Sequence, residues 1–360
     1  MTVLSLKALN RATLARQLLI ERSDLDVLAA VEHLVGLQAQ TPQTWYVGFW
    51  SRLRGFTPDQ ASDLLESRDL VRIALMRSTI HLVSADDCLR IRPLLDPMLA
   101  RSMNGVFGRR IDGVDRDALL AAGRAVLEER PMIFSDLGRA LGRTWPDHDP
   151  DALAQAVRAW TPLVQVTPRG LWGRPGAAAH TTVEHWLGPR EVEPMSLAEM
   201  VRRYLAAFGP ASVKDIQLWC GLTRLSEVVK GMDLARFTDE QGRELFDLPD
   251  APRPDADTPV PIRFLYDYDN LLLSHADRSR VITDGYRGQD FDPHGPMPRV
   301  ILIDGMTAGL WTTEITRDRA VLSARGLSKL TKAQKSEIEA EGAGLLGFLA
   351  PGIEHEVRVA

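Results

Sequence analysis

A recurrence constrains this chain more than any single motif does. Apolar residues at helical spacing come in groups of consecutive short helices, and the first two groups are each followed by β-rich runs with the turn chemistry of a hairpin. In the first group Ser5 precedes one helical pattern, and a second, starting near Asp24, sets Val27, Val31, Leu34 and Val35 on one face. That second helix is expected to end between residues 38 and 42. A third runs through Trp45, Tyr46, Phe49, Trp50 and Leu53. A fourth opens at Thr57-Pro58, a cap residue followed by a proline whose missing N–H costs nothing in the first turn. The runs 70–75 and 78–83 then read as two strands around Met76-Arg77. Helices closed by a hairpin are the pattern of a winged helix.

The second group repeats the design. Leu119, Gly123, Val126 and Leu127 mark one helix, Phe134, Leu137 and Leu141 the next, and Leu153, Val157 and Trp160 a third. Strands are expected at 163–166 and 171–172, joined through Thr167-Pro168-Arg169-Gly170, where proline and glycine supply the turn. In the third group a stripe of Leu197, Met200, Val201, Tyr204, Leu205 and Phe208 stops at Gly209-Pro210. Ser212 starts a helix with Val213, Ile216 and Cys220, Gly221 turns, and Leu225, Val228, Val229 and Met232 follow, which is helix-turn-helix spacing. The acidic, proline-rich stretch 247–261 reads as a linker. Beyond it β-like runs at 262–265, 300–303, 310–315 and 357–359 surround one helix at about 331–349. The expected fold is therefore mainly α with β-hairpins, an α+β chain of three tandem winged-helix units (1–112, 113–194 and 195–258) and a small C-terminal β-rich domain (259–360).

Composition removes several function classes. A chain of 360 residues with 45% hydrophobic content can bury the cores of two to four units. No apolar run approaches the roughly 18 residues that cross a bilayer, and the first residues lack the regions of a secretory signal, so a cytoplasmic protein is expected. Cys88 and Cys220 are the only cysteines, too few for a disulfide framework or a cysteine-rich zinc site. The histidines are dispersed, no HExxH or CxxC spacing occurs, and neither a metal nor an organic cofactor is expected. Gly342 to Gly347 matches GxGxxG in letters, but it lies late in a helical stretch rather than after a strand, so it cannot cradle a phosphate. The net charge of −5 argues against a polyanion partner until it is divided. Residues 1–110 carry +3 and the remainder −8, which makes the N-terminal end the expected seat of any phosphate contact.

Three constellations carry chemistry. In Gly36-Leu37-Gln38-Ala39-Gln40-Thr41-Pro42-Gln43, Gln38 and Gln40 stand two apart. Such residues diverge on a helix but share one side of an extended chain, and Pro42 disfavours helix at Thr41. Both amides then face one pocket, or they simply cap and solvate a helix end. On the wing, strand alternation puts Arg77, Thr79 and His81 on one polar face, which suits a phosphate or plain solvation. In Tyr266-Asp267-Tyr268-Asp269-Asn270, the acids, Asp269 in particular, serve either as a general base or as partners for arginines between 278 and 280.

The order of these motifs along the chain narrows the choice. Leu37-Gln38-Ala39-Gln40, Arg77-Ser78-Thr79-Ile80-His81-Leu82-Val83, Pro168-Arg169-Gly170-Leu171-Trp172-Gly173 with Trp186-Leu187-Gly188, Tyr268-Asp269-Asn270-Leu271-Leu272-Leu273 and Ile303-Asp304-Gly305 occur in sequence. Together they resemble the winged-helix DNA glycosylases of the AlkZ/YcaQ kind over nearly the whole length. The resemblance implies three winged helices around a DNA channel, a Gln-x-Gln or Gln-x-Asp catalytic motif at Gln38 and Gln40, and excision of N7-alkylated purines from double-stranded DNA. The local +3 surplus and the hairpin positions of Arg77 and Arg169, with the polar face of Thr79 and His81, put these four residues near DNA as an expectation. A monomer at the nucleoid is expected, and the resemblance further implies a link to relatives that unhook interstrand cross-links or protect antibiotic producers. Lysine is scarce and absent near the motif, so hydrolysis without a Schiff-base lyase step is expected. The competing readings are a winged-helix transcriptional regulator without catalysis and an enzyme acting on free nucleobases. The paired amides speak for the glycosylase over the regulator, and repeated DNA-binding units speak against the free nucleobase.

Overall fold

The computed structural model describes residues 1–292 and 297–360. Strand β1 (Thr2–Leu4) leads into α1 (Leu6–Arg16), whose first turn Ser5 caps by accepting from the Ala8 amide. Helix α2 (Val27–His33) is capped by Asp26 and ends well before residue 38. Val35 and Gly36 take φ of 54° and 84°, and a Cβ at Gly36 would lie 2.6 Å from Val83 Cγ1, so the chain turns back at once into β2 (Leu37–Gln38). Helix α3 (Trp45–Arg52) follows, then α4 (Pro58–Glu66) behind a Thr57/Gln60 capping box. Strands β3 (Leu70–Ala74) and β4 (Ile80–Ser84) flank a 3-10 turn at Met76–Ser78.

Helix α5 (Ala85–Phe107) has no counterpart in the sequence pattern, because Pro93 and Pro97 look like breaks. Its stripe of buried Cys88, Ile91, Leu95 and Leu99 outweighs the two missing hydrogen bonds. Helices α6 (Arg116–Glu129), α7 (Phe134–Leu141) and α8 (Pro150–Trp160) occur as expected. The hairpin after them does not. Strand β5 (Leu163–Gln165) pairs with β6 (His180–Thr182), while Leu171 and Trp172 lie in the intervening loop, Leu171 buried and Trp172 4.8 Å from the Tyr46 ring. Packing on the first helices, with a bond from the Tyr46 hydroxyl to the Gly170 carbonyl at 3.0 Å, takes this pair out of any strand. Helix α9 (Val183–Leu187) is short.

Helices α10 (Leu197–Phe208), α11 (Val213–Cys220) and α12 (Ser226–Lys230) follow, with Gly221 at φ 75° where the turn is expected. A hairpin of β7 (Ala235–Asp239) and β8 (Glu244–Asp247) comes next, and β1 joins it in parallel. The stretch before β9 (Arg263–Leu265) is irregular but pinned, since buried Asp247 binds Arg16 at 2.6 and 2.8 Å and Arg253 at 2.6 Å. After the one-turn α13 (Asp284–Arg287), strands β10 (Arg299–Ile303), β11 (Met306–Ile315) and β12 (Arg319–Gly326), helix α14 (Lys332–Leu349) and β13 (Glu354–Val359) complete the chain. The GxGxxG letters fall inside α14.

Among the described residues the result is a mixed α/β fold with three small sheets in the orders β1-β7-β8, β2-β4-β3-β5-β6 and β13-β12-β11-β10-β9. Its interiors do not stop at the boundaries expected from the pattern. Trp45, Tyr46 and Phe49 of α3 share one core with Phe264, Tyr266, Trp311 and Leu346 of the C-terminal sheet and helix. A second core joins α5 to α10 and α11, and a third is confined to α6, α7, α8 and their flanks. The first of these brings residues near 38 against residues near 268.

Candidate active site

Strand β2 occupies the edge of its sheet, with Leu37 opposite Leu82 and Gln38 opposite His81 on β4. On its other side the segment is held by the C-terminal part of the chain. Asn270 accepts from the Gln38 amide at 3.0 Å and donates to the Gly36 carbonyl at 2.6 Å, and the Tyr266 hydroxyl donates to the Gln38 carbonyl at 3.0 Å. Tyr266 comes this near because α3 carries Gly48, where a Cβ would lie 2.8 Å from the Tyr266 ring. Thr41 donates to Asp267, so the motif is fastened at both ends to one short run.

Gln38 lies on strand β2 and Gln40 in the bend that follows it, neither of them on a helix. Gln38 is 3% exposed, and its Oε1 accepts from Arg77 Nη2 at 2.7 Å. Gln40 is exposed, and its Oε1 accepts from the Ile80 amide at 3.2 Å, extending the β2 to β4 ladder by a side chain. Among the described residues neither Nε2 has a hydrogen-bond partner. Each amide therefore keeps two N–H donors and one lone pair on its oxygen for an incoming group.

The solvent-facing polar strand expected at Arg77, Thr79 and His81 is not there. Every residue of β4 is buried, because β4 runs between β2 and β3 rather than at an edge. Arg77 sits in the 3-10 turn at φ 55°, followed by Ser78 at 61°, and this reversal folds its guanidinium inward onto Gln38 and onto the Trp219 carbonyl at 3.0 Å. Burial, with Arg278 nearby, brings Arg77 down to about 10. The Thr79 hydroxyl is used on the Met76 carbonyl. His81 bonds the Thr79 carbonyl through Nδ1 at 3.0 Å, and burial next to Arg77 pushes its pKa down to about 3. It is therefore neutral near pH 7, with the proton on Nδ1 and a lone pair on Nε2.

A second unpaired cation lies behind the motif. Arg72 Nη2 donates to the Ala39 carbonyl at 2.7 Å, while its Nε and Nη1 are buried with no partner among the described residues. Burial, with Arg169 next, lowers it to about 9. Arg72, Gln165 and His180 stand in one row across β3, β5 and β6, and Gln165 Oε1 and both ring nitrogens of His180 also lack partners there. Arg169 donates to the Gly176 carbonyl at 2.9 Å and, with Trp172, Arg174 and Arg299, lines a cleft of about 510 Å³ that begins at Thr41.

The two acids of the run 266–270 have separate fates. Asp269 is fully buried in a bidentate pair with Arg52, at 2.9 and 2.7 Å, and also caps the Leu271 amide. Burial alone would lower the Arg52 pKa, but the Asp269 carboxylate outweighs it and the net shift is upward. Asp269 thus pairs with Arg52, brought to it by the packing of α3 on the C-terminal sheet, and not with an arginine between 278 and 280. Asp267 keeps Oδ1 buried and unpartnered among the described residues.

These residues lie within the part of the chain that a family model recognises. The model described as DNA glycosylase AlkZ-like matches residues 31–348. The chain belongs to the AlkZ-like DNA glycosylase family. It is accordingly an enzyme acting on DNA, and the reading as a non-catalytic regulator falls away. In fold this AlkZ-like glycosylase is similar to the DNA glycosylase AlkZ of Streptomyces sahachiroi, with a TM-score of 0.76 over 100% of both chains at 18% identity. No match was found among curated protein sequences. Among the described residues of this AlkZ-like glycosylase, no three His, Cys, Asp or Glu side chains gather as a metal site, and no helix is long and apolar enough to cross a membrane.

Proposed function

We propose that this glycosylase hydrolyses the N-glycosidic bond of alkylated purines of the N7-alkylguanine type in duplex DNA, acting as a monomer, with Gln38 and Gln40 as its catalytic pair. The observation that carries the reading is the pair of amides on one clamped segment, each with its NH₂ group unengaged among the described residues. An N7-alkylguanine is a cation, so its C1′–N9 bond is already weakened. As that bond breaks, its electron pair neutralises the base, water adds to C1′, and the proton it sheds passes to bulk solvent. Glutamine does not titrate near neutral pH, so the pair acts by orienting water and by preorganised dipoles rather than by proton abstraction. Arg77 fixes the Gln38 carbonyl and leaves its second lone pair for that water. Arg169 and Arg174, on the rim of the cleft, are suited to the phosphates flanking the lesion.

Unhooking of interstrand cross-links, and with it protection of a producer of alkylating antibiotics, is an extension of the same chemistry to a bulkier N7 adduct. Base release from duplex DNA carrying 7-methylguanine tests the main reading, with a cross-linked duplex in parallel. Release from the first substrate is the expected result. Release from neither, by a folded protein that binds the duplex, would sink the substrate assignment.

A further inference from the structure

Buried carboxylates in a folded chain are paired or fully hydrogen-bonded, because an oxygen stripped of water without a partner is costly. Asp267 departs from this rule. It is 4% exposed, its Oδ2 accepts from the Thr41 hydroxyl, and its Oδ1 has no donor among the described residues. Among the described residues no arginine pairs with it. Arg52 is committed to Asp269, and Arg299, which lines the same cleft of about 420 Å³ as Asp267, is turned to the Thr313 hydroxyl at 3.4 Å and to the Trp311 ring at 5.0 Å. Thr41 follows Gln40 directly and lines both this cleft and the larger one beside it, so the bare oxygen belongs to the neighbourhood of the motif.

The charges around the motif give that bare oxygen its meaning. Arg77 and Arg72 hold the acceptors of Gln38 and Ala39 with no carboxylate partner among the described residues, and their charge opposes a cation there. Breaking the glycosidic bond creates positive charge on the sugar. A site whose nearest fixed charges are guanidinium groups needs a compensating anion for that step, and the amides have none to give.

We propose that Asp267 is the negative charge of the active centre, its free oxygen stabilising the cationic sugar that forms as the base departs. This rests on the glycosylase reading above and extends it to a residue outside the glutamine pair. Asp267 acts through its field, anchored by Thr41, and takes no part in a covalent step. It also favours a substrate that is cationic before reaction.

The test uses the full chain and two uncleavable duplexes, one with a neutral tetrahydrofuran abasic analogue and one with a cationic pyrrolidine analogue at the same position. Wild type is expected to prefer the cationic analogue by about 10- to 100-fold, the range for one charge-assisted contact. Asp267→Asn, which keeps an acceptor for Thr41, is expected to lose most of that preference while binding the neutral analogue within about twofold of wild type. A folded Asp267→Asn that retains the full preference overturns the proposal. So does a wild-type protein that binds both analogues equally, and this arm needs no variant to fold. Neither duplex is cleaved, so a failure to release 7-methylguanine alongside an intact cation preference would strike the substrate assignment and leave Asp267 standing.

Discussion

The Arg77 guanidinium donates to the Gln38 amide oxygen at 2.7 Å from a backbone in the left-handed region, and no carboxylate among the described residues balances its charge. A strained turn and an unpaired cation are both unfavourable for folding alone, and together they fix which way one amide points. Orientation of Gln38 is then set by the protein before DNA arrives, which is the condition under which a dipole contributes most to a transition state.

Replacing Gln38 and Gln40 by Ala is expected to slow single-turnover excision of 7-methylguanine far more than it weakens DNA binding. Removing one preorganised hydrogen-bonding group costs about 10²- to 10³-fold in strong cases, and a cationic leaving group places single variants near the lower end. The double variant must melt like wild type for the comparison to count. Wild-type excision by that folded double variant would make the glutamines structural.

Arg77 and Arg169 are expected to separate in salt titrations. Removing a cation that neutralises one phosphate flattens the slope of log affinity against log salt by about one unit. Arg169→Met is expected to do so, whereas Arg77→Met, whose side chain is turned to Gln38 and Trp219, is expected to leave the slope alone and slow excision instead. A flattened slope with Arg77→Met at an unchanged rate would put Arg77 on a phosphate after all.

The acids of the run 266–270 are expected to differ in stability. Breaking a buried ion pair from one side typically costs about 3 to 5 kcal/mol, so Asp269→Ala, which strands Arg52, is expected to lower the free energy of unfolding by that order. Asp267→Asn strands no cation and is expected to change it little. Equal losses in urea titration would contradict the division of roles.

Acid is expected to destabilise the protein through His81, His180 and His275. Burial holds all three near a pKa of about 3, against an ordinary value of 6.5. Above 6.5 neither state binds these protons and the stability is intact; below it the unfolded chain takes them up and the folded chain does not. Stability is therefore lost as pH falls from 6.5 toward 3, with a slope approaching about 4 kcal/mol per pH unit for three groups. His180 stacks on Phe134 at 4.1 Å, so His180→Phe keeps a ring there and is expected to remove about a third of this slope. Urea titrations at pH 7, 6 and 5 measure it. The same shifts imply that none of these three histidines gives an inflection in the rate of excision above pH 5.

What depends on near neighbours was legible along the chain. Helix positions follow from the apolar period and from caps such as Ser5, Thr57 and Ser212, the Met76-Arg77 turn from its flanking β-rich runs, and the departure from helix at Gln38 and Gln40 from Pro42. The ordered motifs carried the family. Tertiary structure decided everything that joins distant parts. Packing on α3 took Leu171 and Trp172 out of a strand, α5 ran through two prolines because its apolar stripe was covered, and β1 found its partner more than 230 residues away. Nothing local tells Arg77 to face Gln38 rather than a phosphate; the folded turn does. Asp267 and Asp269 are two residues apart and chemically alike, and only the position of Arg52 gave one a cation and left the other bare. The local energies that a pattern records are fractions of a kcal/mol per residue, whereas a buried charge costs several, so the placement of the charged groups was settled by the packed interior and not by the pattern.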